Sequence, residues 1–134
     1  MKNLDSRIEE SLKEAESYLA AANKQYEKAL ETGTWNPVIV NCIMAMIKSI
    51  DAMMLQYRGN TNQDHSKTAN ELQKLYEEGL ISDSFKSNID SVKKWVVNEK
   101  TDIQYRNKSV SQKEVERAIK SAERLLKKTR KEIE

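Results

Sequence analysis

All three glycines of this 134-residue chain, Gly33, Gly59 and Gly79, stand directly after stretches whose apolar residues recur at helical spacing, and none interrupts such a stretch. Glycine reaches the left-handed conformation that closes a helix C-terminus, so this placement predicts helix ends at three points. The only proline, Pro37, follows Asn36, a pairing that predicts an N-cap and the first residue of a second helix. Charged residues form 33% of the chain and aromatics 6%, a balance that suits helices with solvated faces better than sheets. The expected fold is therefore all-α: a single five-helix up-and-down bundle forming one domain over residues 1–134.

The first helix is expected from a Ser6-x-x-Glu9 capping box, with Ile8, Leu12, Ala15, Leu19, Ala22, Tyr26 and Ala29/Leu30 on one stripe. The second, from Asn36 to about Arg58, is different. Ile39, Ile43, Met46, Ile47, Ile50, Met53, Met54 and Tyr57 cover a wide face, and Met44, Ala45, Ala52 and Leu55 soften the rest. A helix apolar nearly all round is a central helix, or central with an interface. Its four methionines suit adaptable core filling or an adaptable contact surface. A third helix is expected from His65 to about Glu78, with Asp64 as N-cap. A fourth runs from about Asp83 to Arg106, with Phe85, Ile89, Val92, Val96 and Ile103 in register. A fifth runs from a Ser111-x-x-Glu114 capping box to the C-terminus.

The 23 basic and 21 acidic side chains leave a net charge of +2, which gives no global field of the kind that steers a nucleic-acid binder. Cys42 is the only cysteine, so no intrachain disulfide can form and a reducing compartment is expected. The first five residues lack the apolar core of a signal peptide. The longest apolar run, Val38 to Ile47, is broken by Asn41 and falls short of the roughly 20 residues that span a bilayer. A cytoplasmic protein without membrane contact is the expectation.

Few residues break the bundle pattern. Asp51 sits beside Ile47 and Ile50 on the helix expected to be most buried, where a carboxylate must be paired or solvated. Lys100 lies between Val96 and Ile103, and His65, the one histidine, opens the third helix. Asp51, Asp64, His65, Lys100 and Tyr105 could gather into a polar binding cluster between helices two, three and four. Alternatively, Asp51 and Lys100 form an interhelical ion pair and His65 only starts a helix. These residues lack the mutual geometry that defines a reaction. One histidine and one cysteine give no metal-ligand spacing, Cys42 reads as an inert core thiol, and the glycines form no phosphate-binding pattern, so neither metal nor cofactor is expected. The fifth helix carries Lys113, Arg117, Lys120, Arg124, Lys127, Lys128 and Lys131 on one face, opposite Val115, Ile119, Ala122, Leu126 and Ile133. Such a stripe is either a solvated face laced with i,i+4 pairs to Glu114, Glu116, Glu123 and Glu132, or a row that neutralises phosphates.

Two segments together resemble the HEPN families of bacteria and archaea. One runs from Ile47 through Asp51-Ala52 to Gly59 and on to Asp64-His65. The other holds Lys100, Gln104-Tyr105 and Val110-Ser111, followed by Ala118, Ala122 and Leu125-Leu126. The resemblance implies a helical bundle that often forms homodimers. Many such proteins are metal-independent ribonucleases of toxin–antitoxin or defence systems, and others are non-catalytic partners of small nucleotidyltransferases. The ribonucleases use an Arg-x(4–6)-His motif in the C-terminal half. Here that region, Arg106 to Lys113, holds no histidine. Arg58 and His65 meet the spacing formally, but in the loop between helices two and three. The leading expectation is a non-catalytic HEPN-like module acting as a homodimer, with a nucleotidyltransferase, RNA or a nucleotide as partner. The alternative is a divergent ribonuclease using Arg58 and His65, and a third reading is a small-molecule site around Asp51, His65 and Lys100.

Overall fold

A computed structural model of the protein describes residues 5–99 and 110–134, all organised around helices. The helices are α1 (Ser6–Thr32), α2 (Asn36–Arg58), α3 (His65–Glu77), a fourth helical run with α4 (Lys86–Val92) at its centre, and α5 (Gln112–Ile133). The all-α expectation holds, with no strand among the described residues. Gly33 and Gly59 close α1 and α2 at φ 73° and 77°. Their N–H groups donate back to Ala29 and to Met54 and Leu55, using carbonyls that the last turn leaves open.

Helix starts were harder to read than helix ends. Asp5, not Ser6, caps α1: its carboxylate accepts from the Arg7 backbone N–H at 2.8 Å and also binds the Arg7 guanidinium. Nor does Asn36 cap α2. Trp35 holds the N-cap position without a side-chain hydrogen bond, while Asn36 Oδ1 accepts from the Val110 N–H at 3.3 Å. A tertiary donor has taken the oxygen that local capping would use, and it ties the start of α2 to the residue leading into α5. The Ser111–Glu114 capping box at the head of α5 forms as its sequence predicts.

The fourth run is not one regular helix. It opens as a 3₁₀ turn over Asp83–Phe85, becomes α over Lys86–Val92, and widens to π hydrogen bonding over Lys93–Glu99. Phe85, Ile89, Val92 and Val96 are buried as the stripe requires, and Trp95 is buried beside them. Packing both Trp95 and its neighbour Val96 inward suits the wider turn better than a strict α-helical stripe. Ile103 lies outside the described residues.

Helix α2 is the spine. Of its 23 residues 13 are buried, against 8 of 22 in α5, and its neighbours include α1, α3 and α5. By length and hydropathy α2 could cross a membrane, but 72% of that apolar window is buried inside the bundle. Its apolar surplus is spent on core contacts. Among the described residues the large exposed hydrophobics, Leu30, Leu80 and Val97, all belong to other parts of the chain. Side-chain bonds cross between helices at the rim: Lys48 to Glu14 at 2.8 Å, Tyr26 to Glu116 at 2.7 Å, Tyr57 to Glu132 at 3.1 Å, and Arg130 to Glu16. With Ile47 fully enclosed, Ile47→Ala is expected to cost about 2–5 kcal/mol in urea unfolding, through lost burial plus the cavity left behind.

Candidate functional site

Two surfaces carry the residues that could bind something. The first is an open groove of about 720 Å³ between the start of α1, the second half of α2 and the chain just past Gly59; Arg7, Glu10, Lys48, Asp51, Leu55 and Asn60 are among its walls. The helical repeat puts Lys48, Asp51 and Leu55 on one side of α2, and the cross-helix bond from Lys48 to Glu14 shows that this side meets α1.

Asp51 is only 7% exposed, and its Oδ1 has no hydrogen-bond partner among the described residues. Burial pushes its carboxyl up to about 6; nearby Lys48 pulls it down and Glu14 pushes it up again. Lys48 is held charged chiefly by its bond to Glu14, so it offsets Asp51 from a distance without bonding it. Arg7 is committed as well, to Asp5 and to the Gly59 carbonyl.

Of the polar cluster read from the sequence, Asp51, Asp64 and His65 fall within the described residues. Asp51 lines a groove shared with residues of α1, and His65 is not among the residues lining that groove. Lys100 and Tyr105 lie outside the described residues. His65 is the first residue of α3, and the Asp64 carbonyl accepts the backbone N–H groups of Lys67 and Thr68 in its first turn. Arg58 binds the Glu78 carboxylate with two guanidinium nitrogens, clasping the end of α2 to the residue after α3. Cys42 is fully enclosed, and burial raises its thiol pKa to about 12. Glu10, Arg7 and Glu14 escaped the sequence reading because they look like ordinary outer-face charges of α1. The one usable signal was Lys48 standing three residues before Asp51, which places both on one face.

The second surface is the outer face of α5. Lys113, Arg117, Lys120, Arg124, Lys127 and Lys131 are exposed and repeat at intervals of four and three, and none is in an ion pair among the described residues. Lys128 leaves the row: its ammonium donates to the Ser84 carbonyl at 2.6 Å and to Asn88 at 2.8 Å, above the Phe85 ring. Several acids of the helix are turned to other work. Glu114 closes the capping box, Glu116 accepts from Tyr26 and Gln112, Glu132 accepts from Tyr57, and Glu134 meets Arg130. The lattice of i,i+4 pairs that would neutralise the stripe is absent among the described residues.

In comparison with known proteins, the family model of the HEPN domain matches residues 8–133. No curated protein matches the chain.

Because the Asp51 carboxyl titrates near 6 when folded, against an ordinary value of 3.8, the folded chain binds the extra proton between those values. Stability contributed at this site therefore falls as pH rises from about 4 to about 6 and stays lower above that. Asp51→Asn is expected to be more stable than the parent by about 2 kcal/mol at pH 7.5, with the gap closing at pH 4, as read by urea unfolding at both values. Cys42 in the native protein is expected to resist Ellman's reagent at pH 8 and to react fully once the chain is unfolded in guanidinium.

Proposed function

The chain belongs to the HEPN domain family, and on that premise we propose that it is a non-catalytic module which works as a homodimer and binds the phosphate backbone of RNA along the outer face of α5. The observation that carries this reading is the row of six exposed cations without ion-pair partners. From Lys113 to Lys131 the row extends about 27 Å at the helical rise per residue. A phosphate chain laid along it displaces counterions but breaks no existing ion pair, so the attraction is not reduced by competition from the helix's own acids. No aromatic side chain interleaves the row, which favours backbone contact over base stacking and predicts little sequence preference.

The absence of catalysis is argued from Arg58 and His65. His65 is the only histidine, and Arg58 is the arginine at ribonuclease spacing before it. That guanidinium is already held by Glu78, and freeing it for a phosphate means breaking a two-point ion pair. Dimerisation, and a nucleotidyltransferase or the second member of a toxin–antitoxin pair as protein partner, are drawn from the family. The exposed apolar side chains Leu30 of α1, Leu80 in the turn after α3 and Val97 of the fourth run are too scattered to mark the interface by themselves.

The reading predicts saturable binding of a single-stranded RNA homopolymer at low salt, with a slope of log K against log salt of about −4 if all six cations take part. Lys120→Glu with Arg124→Glu and Lys127→Glu is expected to weaken binding at least about tenfold while leaving helical content unchanged. RNA that remains intact alongside the bound protein is the expected result; cleavage abolished by His65→Ala would reinstate the ribonuclease. A monomeric mass by light scattering at micromolar concentration would remove the homodimer from the proposal.

A further inference from the structure

The charges around the Asp51 groove do not cancel. Its two cations are already satisfied, Arg7 by Asp5 and Lys48 by Glu14. Its two carboxylates, Glu10 and Asp51, have no ion-pair partner among the described residues. Glu10 stands exposed at the mouth, whereas Asp51 is 7% exposed and keeps one oxygen without a hydrogen bond. A buried carboxylate in this position favours a cation that can shed part of its hydration and donate directed hydrogen bonds.

The surroundings select the kind of cation. Among the described residues no three His, Cys, Asp or Glu side chains come together in a way that could hold a metal ion. A divalent ion bound by two carboxylates, one of them open to water, would keep most of its water shell. Leu55 presents carbon along the groove, and Ser6, Ser11 and Asn60 supply further acceptor oxygens. A groove that holds two carboxylates and an apolar wall matches an aliphatic chain with positive ends. We propose that this groove is a binding site for an alkylammonium ligand of the di- or triamine class, with Asp51 and Glu10 as counter-ions and Leu55 against its methylenes. The site is separate from the α5 stripe and takes ligands of opposite charge, so either reading can fail alone.

The test is an NMR and calorimetric titration of the full chain with putrescine and spermidine at physiological ionic strength and pH 7.5. Saturable one-to-one binding is expected, with amide shifts concentrated in the first turns of α1 and around residues 48–61. Asp51→Asn should weaken the affinity about tenfold or more and Glu10→Gln by a smaller factor, as loss of a buried and an exposed charge contact implies. Because Glu10 is a surface residue, its variant keeps the test informative even if Asp51→Asn perturbs the fold. No saturation by about 10 mM amine overturns the proposal. So does an affinity unchanged in both variants, or equal competition by magnesium, either of which would mark diffuse attraction. Binding seen only in Lys100→Met would assign the groove to the chain's own lysine and would overturn it too.

Discussion

The enclosure of α2 is the constraint on which the rest of the structure depends. Its isoleucines and methionines can leave water only if helices cover it on several sides, and α1, α3, the fourth run and α5 take their places around it. Each covering helix is amphipathic, with a stripe inward and charges outward. The two candidate surfaces follow from that arrangement. The groove lies where the cover of α2 by α1 is incomplete, and the basic row is the side of α5 that has nothing left to cover.

Much of this could be read in the sequence because the signals were local. A glycine after a periodic stretch has few alternative explanations, and Gly33, Gly59 and Gly79 all adopt positive φ. The Ser111–Glu114 box is likewise closed within four residues. Where a distant group competed, local reasoning failed. Asn36 looks like a cap until the Val110 N–H arrives from 74 residues away. Asp51 was visible as a misfit in an apolar helix, but the side it faces depends on how α1 lies across α2, and no pattern within one helix encodes that. The pairing of Arg58 with Glu78 was hidden for the same reason.

A net charge of +2 conceals a strong separation of sign. The outer face of α5 is cationic because several of its acids serve as acceptors for tyrosines, an arginine and the helix cap. The groove is acidic because its cations are consumed by neighbouring carboxylates. In both places it is hydrogen bonding, not composition, that decides which charges remain available. Near-neutrality therefore excludes a global field without fixing the sign of any one face.

The π-bonded segment over Lys93–Glu99 has a further consequence, for the helical wheel itself. A wheel advances each residue by about 100°, and that step presumes one residue less between bonded partners than a π turn contains. Angles projected forward from Phe85 therefore accumulate a phase error by Glu99, within a run that a single wheel treats as uniform.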